Sequence, residues 1–320
     1  MTAIIGIGVG AGVVSALLTL VIATGSPIAL LLSFLAPLPI AIAALGWNHK
    51  AGLIGAAVGA LILGLLVNPR MAAAFLLSTA LPAWWFSFLS LLARPSAAPG
   101  GPAEWYPTGR VLAWIAGVIA ALGLVGAWMI AGDYDAFVKS CERVIEIAER
   151  LSPTLFDGVA PEARPQLRAA MAALVAAIGF PAYAVISVWV AAALLVIAGR
   201  IVLASGRLPR PWPYLPALTL PRALLGAIAA TFAGSFLGGF IGLCFRTIFA
   251  ALLAAYALQG LALVHAITSG KAGRSAMLTA VYFVSALFGG WPLIAAAIGG
   301  VADALFNIRA RRGLADPAGA

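Results

Sequence analysis

Charge is what this sequence has least of: only 9% of its 320 residues are Asp, Glu, Lys or Arg, against about 25% in ordinary soluble chains. A fold in water must still cover a large outer face with polar groups, and 63% of these residues are hydrophobic. Lipid can take that outer face where water cannot. Cysteine is nearly absent as well. Cys141 and Cys244 form no C-x-x-C pair and fit no metal-ligand spacing. Histidine stops at His49 and His265, neither with an acid or thiol nearby in sequence. Ser269-Gly270-Lys271-Ala272 lacks the upstream glycine and the following Ser or Thr of a phosphate loop. The chain is therefore expected to hydrolyse no ATP by itself. H-E-x-x-H and G-x-S-x-G are missing too, so the expectation is a protein that is not an enzyme and takes no cofactor and no metal. The surplus of nine positive charges is scattered rather than gathered in a stripe with aromatics, which argues against nucleic acid.

What is present is a repeated length. A helix rises 1.5 Å per residue, so about 20 residues cross a hydrocarbon core about 30 Å thick. Uncharged stretches of that length lie between Lys50 and Arg70, Arg70 and Arg94, Arg110 and Asp133, Arg222 and Arg246, and Arg246 and Lys271. The first 48 residues carry no ionisable side chain and divide at Thr24-Gly25-Ser26-Pro27, a turn signal. With no basic stretch ahead of it, the opening run reads as a retained span. The spacing predicts an all-α, polytopic bundle with spans near 3–23, 28–46, 51–67, 71–92, 110–131, 171–199, 223–240, 247–268, 275–289 and 292–308. The last two come from dividing one long apolar stretch at Gly289-Gly290-Trp291-Pro292. The organisation expected is N-terminal helices over 1–131, an external segment over 132–170, C-terminal helices over 171–308 and a tail over 309–320.

Ten spans place both termini on one side. That side collects Lys50, Arg94, Arg110, Arg200, Arg207, Arg210, Arg222, Lys271, Arg274, Arg309, Arg311 and Arg312. The short loops opposite hold Arg70 and Arg246 alone. The asymmetry predicts cytoplasmic termini in a bacterial inner membrane.

Within the external segment, Tyr134, Phe137, Val138, Cys141, Val144, Ala148 and Leu151 recur at helical steps. Lys139, Glu142, Arg143, Glu146, Glu149 and Arg150 form the other face. Asp133 or Asp135 can cap this amphipathic helix, and Ser152-Pro153 ends it. It can lie on the lipid surface or over the bundle, or it can serve as a lid or a partner surface.

Small residues at every fourth position let helices approach closely in lipid. Gly8, Gly12 and Ala16 form such a row, as do Gly55 with Gly59, and Gly234, Gly238 and Gly242. Internal packing and a partner-docking face are both open readings. Ionisable groups inside spans default to functional candidates; Asp303 and His265 qualify, each near the basic end. Asp303 can pair there with Arg309. Pocket candidates are Arg70 and Trp128 at an outward mouth, with Trp84 and Trp85 deeper, beside Pro82.

Leu35-Ala36-Pro37-Leu38-Pro39, Gly46 through Leu53, and Gly64 through Pro69 resemble a widespread family of uncharacterised bacterial membrane proteins. Gly199-Arg200 through Leu218-Thr219-Leu220-Pro221-Arg222 resembles that family's basic loop and Leu-Pro element. The family is in turn similar to the substrate-binding (S) components of energy-coupling-factor transporters. That resemblance implies capture of a small molecule and docking onto a membrane coupling subunit with ATPases. Gly8, Gly12 and Ala16 would then be the docking row. The chain departs from the pattern in having spans beyond six, and no ligand-binding side chains carry over.

Overall fold

The computed structural model describes residues 1–96, 101–288 and 290–312. It is an all-α bundle. The chain runs through α1 (Thr2–Leu20), α2 (Pro27–Ser33), α3 (Pro37–Trp47), α4 (His49–Leu66), α5 (Pro69–Phe75), α6 (Leu81–Ser90) and α7 (Thr108–Ile130). Next come α8 (Tyr134–Leu151), α9 (Arg164–Ala204), α10 (Ala223–Gly234), α11 (Gly239–Ile267), α12 (Arg274–Leu287), α13 (Trp291–Phe306) and the short α14 (Ile308–Arg311). A two-residue hairpin, β1 (Ala93–Arg94) with β2 (Glu104–Trp105), is tied by the exposed Arg94–Glu104 ion pair at 2.6 Å.

Helical segments stand at all ten expected positions. Seven are long and apolar enough to cross a membrane: Thr2–Thr24, Pro27–Trp47, His49–Leu66, Pro69–Ser90, Thr108–Ile130, Pro161–Ala204 and Gly239–Ile267. The other three, α10, α12 and α13, are shorter apolar helices. The break near 290 is present, although Gly289 itself lies outside the described residues, as do 313–320 of the expected tail.

Local chemistry explains the breaks. Gly25 takes φ of 68°, a left-handed conformation that costs a glycine little. Ser26 then caps α2 by accepting from the Ala29 amide at 3.1 Å. Asn68 caps α5 in the same way through the Met71 amide, with Pro69 in the first turn. Asp133 caps α8 through the Ala136 amide at 2.8 Å.

Two boundaries differ from expectation. The span expected over 171–199 belongs to a helix of 41 residues. Charge at Arg168 and Arg200 marks where such a helix leaves lipid, but each end continues because other segments pack on it: α8 at one end, the 205–221 loop at the other. The span expected over 223–240 stops at Gly234, and α11 starts at Gly239 instead of near 247. Consequently Gly234, Gly238 and Gly242 form no continuous row. Gly234 lies on the Phe245 ring, Gly242 on the Leu237 backbone, and Gly238 faces open space.

The interior consists of small and branched side chains from α6, α7, α9, α11 and α13, with Tyr256 wholly buried among them. The outer face is apolar. Leu65 is 77% exposed, Phe283 64% and Ile186 54%, the pattern of a surface solvated by acyl chains.

Candidate functional site

The small-residue row on α1 is used inside the chain. Gly8 and Gly12 are buried against α4, and a methyl group added at Gly12 would sit 2.5 Å from the Gly55 carbonyl oxygen. Gly55 and Gly59 return the contact from α4, each within van der Waals reach of α1 backbone. Ala16 is fully buried in the same seam. This row therefore cannot receive a coupling subunit while α1 and α4 stay together. The face of α1 left open is the other one, where Gly6 and Gly10 meet nothing within 4 Å.

The four pocket candidates do not gather. Trp84 and Trp85 sit in the first half of α6, on the side where His49 begins α4. They form an aromatic cluster there with His49, Phe88 and Trp114: Trp84–Phe88 centroids are 5.8 Å apart, His49–Phe88 5.2 Å and Trp85–Trp114 5.4 Å. Arg70 begins α5 and Trp128 ends α7, both at the opposite end. Trp128 is 66% exposed, as a tryptophan anchoring at an interface should be.

A different set of residues surrounds a cavity of ≈ 250 Å³ among the first six spans. Two broken helices meet there. One break separates α2 from α3, where Ser33, Phe34 and Pro37 face the cavity. The other is a π-helical turn, Leu76–Ala80, between α5 and α6. It contributes Ser78 and Thr79, followed by Pro82. Proline removes an amide donor and pushes the carbonyl four residues back, and a π-turn widens the helix, a distortion common at functional sites. Irregular backbone at membrane depth is tolerated where it is buried or lines a cavity. From α7 come Ile119 and Leu122, and from α9 come Tyr183 and Ser187.

Five hydroxyls thus face an otherwise apolar space. Ser33 and Ser78 donate to carbonyls of their own helices, Leu30 and Ala74, each at 2.7 Å. Their oxygens keep lone pairs for an incoming donor. The Tyr183 ring packs on Phe180, and neither Tyr183 nor Ser187 has a side-chain hydrogen-bond partner among the described residues. No Asp, Glu, Lys, Arg, His or Cys lines the cavity, so the polar side chains it offers are hydroxyls alone. Among the described residues no group of His, Cys, Asp and Glu is placed to hold a metal ion. In sequence, Pro37 and Pro82 were visible, but nothing in the residue pattern shows that their two breaks share one space.

The amphipathic helix α8 packs along the first part of α9. Phe137, Cys141 and Ile145 of α8 are buried, and Phe137 packs 5.8 Å from Phe180 of α9. Burial pushes the Cys141 thiol above its ordinary range. Arg168 of α9 grips Glu149 at 2.6 Å and Glu146 at 3.7 Å. Val144, Ile147 and Leu151 remain exposed, at 58%, 55% and 82%. They form a stripe between the buried face and the charged one, so α8 has a buried face, an exposed apolar face of the kind that suits lipid, and a charged face.

At the basic end, Asp303 does pair with Arg309: Nε lies 3.1 Å from the carboxylate, and both residues are buried. Gln259, fully buried, donates to Asp303 and to the Gly300 carbonyl, and accepts from the Leu220 amide at 2.8 Å. Arg309 also donates to the carbonyls of Pro216, Leu218 and Gln259. Burial pushes the guanidinium pKa down while Asp303 pulls it back up. His265 bonds Tyr282 at 2.8 Å. Neither ionisable group faces the hydroxyl-lined cavity.

No curated protein matches the chain, and no solved structure does. Over residues 13–304 it matches the family described as predicted membrane protein, DUF2232. That stretch takes in both broken helices, the external helix and nearly all of α13, and the chain belongs to this family of membrane proteins.

Proposed function

We propose that this integral membrane protein binds a small, uncharged, hydrogen-bonding molecule in the cavity between its two broken helices, as a transport subunit without an ATPase of its own. The carrying observation is the convergence of the α2–α3 break and the π-turn on five hydroxyls in an apolar wall. Discontinuous helices that meet near mid-membrane are how transporters present polar backbone to cargo. At ≈ 250 Å³ the space is below the ~300–1,000 Å³ of drug-sized sites, so the cargo is smaller than a drug. A charged cargo would find no counter-ion there. The charge asymmetry supports a bacterial inner membrane with the basic end and both termini in the cytoplasm. Energy for movement would come from a partner such as a coupling subunit with ATPases, docking elsewhere than the Gly8–Gly12–Ala16 seam.

The test is gentle-detergent purification from native membranes, with mass spectrometry of co-eluting proteins and small molecules. It compares the natural chain with Ala83→Phe, which fills the cavity from α6. A stoichiometric neutral metabolite that disappears in the variant supports the reading. If both carry no small molecule and an envelope protein is enriched instead, the protein is a scaffold. The exposed stripe Val144, Ile147 and Leu151 would then be the surface to mutate.

A further inference from the structure

A second and larger cavity, ≈ 790 Å³, lies at the basic end between α7, α9, α11, α12 and the 205–221 loop. It shares only Leu195 with the hydroxyl-lined cavity. Along α9 its wall runs from Trp189 to Arg200, about 16 Å of helix. That is about half of a hydrocarbon core of ~30 Å, the depth of one leaflet. The wall is apolar through Leu112, Ile115, Leu258 and Ala262, and the cations stand at the interfacial end of the space.

Those cations lack anionic partners. Arg200 stacks on Trp212 with its guanidinium carbon 4.1 Å from the ring centroid, and it has no hydrogen-bond acceptor among the described residues. Arg210 donates one group to the Ser90 carbonyl at 2.7 Å, while its buried Nε has no acceptor. Burial pushes its pKa below the ordinary range, as for a cation short of a counter-charge. No Asp or Glu lines the cavity. The indole N–H of Trp189, deep in the same wall, is also buried without an acceptor.

On one side this cavity is closed only by Tyr282 of α12. α12 buries none of its residues and meets α11 through the Tyr282–His265 hydrogen bond. Phe283, one residue from Tyr282, is 64% exposed on the outer surface. An apolar space one leaflet deep, edged by an exposed apolar helix and headed by unpaired arginines, matches one kind of molecule in shape and in charge.

We infer that this cavity holds an anionic glycerophospholipid of the leaflet at the basic end, its acyl chain between α9 and α11 and its phosphate on Arg200 and Arg210. Basic recesses between helices on the cytoplasmic side are suited to such headgroups. The chain supplies the apolar contact that a free phosphate cannot make.

Native mass spectrometry of the purified, delipidated protein tests this, with phosphatidylglycerol, phosphatidylcholine of identical chains, and inorganic phosphate as probes. Phosphatidylglycerol should bind at least tenfold more tightly than phosphatidylcholine. The double variant Arg200→Gln/Arg210→Gln should remove that preference, and Ala262→Leu, which narrows the apolar part, should weaken both lipids. Equal binding of the two lipids, or full phosphatidylglycerol binding by the double variant, overturns the assignment. Displacement of the lipid by millimolar phosphate also overturns it and leaves a free-anion site. If the double variant fails to fold, the Ala262→Leu comparison decides by itself, since undiminished lipid binding there excludes the cavity.

Discussion

The α1–α4 and α11–α13 pairs both touch through glycine, and they are held in different ways. In the α1–α4 seam, Gly8 and Gly12 meet Gly55 and Gly59 with nothing polar between them beyond backbone. In the α11–α13 seam, Gly260 rests on the Ala296 backbone and Gly300 on that of Tyr256; Gln259 adjoins Gly260, Asp303 lies one turn past Gly300, and Arg309 joins them from α14. The first seam depends on shape alone, through many weak dispersion contacts. The second adds a polar network that is satisfied in one register only, because shifting α13 by a residue would part Asp303 from Gln259 and Arg309 from the carbonyls of Pro216, Leu218 and Gln259. Close approach brings helices together, and buried charge fixes how far along they sit.

The largest effect should come from the charged member of the second seam. Arg309→Met leaves Asp303 buried and unpaired, and should cost about 3–5 kcal/mol, read as unfolding in detergent. Adding Asp303→Leu should recover part of the loss. If the single variant costs nothing, the network does not fix the register, and the contrast between the seams fails.

Glycine substitutions come next. Gly300→Ala, whose methyl meets the Tyr256 carbonyl, and Gly12→Ala, against that of Gly55, should each cost about 1–3 kcal/mol. Gly10→Ala, facing open space inside α1, should cost nothing and instead stabilise by up to about 1 kcal/mol. A crosslink between cysteines placed on α1 and α4 would show whether Gly12→Ala separates the helices or only strains them.

The smallest effect concerns the external helix. Arg168→Ala removes a partly exposed ion pair and should cost no more than about 1 kcal/mol, yet it should speed maleimide labelling of Cys141 by freeing α8 from α9. In the natural chain that thiol should label slowly near neutral pH. Its pKa is raised by burial, so the reactive thiolate appears only as pH climbs past the ordinary thiol range. An exposed-cysteine control at position 147 should label sooner at every pH.

Much of the fold was legible because charge is so scarce. Lys50, Arg70, Arg110, Arg222 and Lys271 mark real ends of helices, and a hydrocarbon core leaves little freedom between such marks. Asp303 and Arg309, six residues apart, were readable as partners. Boundaries failed where protein replaces lipid as the neighbour, as at the two ends of α9. The candidate site was least legible. Trp84 and Trp85 looked suited to a pocket because they adjoin Pro82, but a tryptophan pair packs on aromatic neighbours as readily as on a ligand, and these met His49 and Phe88. The cavity is lined instead by Ser33, Ser78, Thr79, Tyr183 and Ser187, common residues drawn from three separate stretches. Gly260 and Gly300 were missed for a related reason: each matters only through what faces it on the other helix, and only the pairing makes them a seam.

The 41 residues of α9 make a rod about 60 Å long, twice the hydrocarbon thickness, and it passes α8, the hydroxyl-lined cavity and the lipid-sized one in turn. Pro181 sits within it, removing one backbone hydrogen bond at the level where Tyr183 meets the first cavity. Such a rod is a lever with its fulcrum at the proline. A change of about 10° there would carry Arg200, about 28 Å further along the helix, sideways by about 5 Å. Bending at Pro181, if it occurs, would thereby link the first cavity's wall at Tyr183 to the position of Arg200.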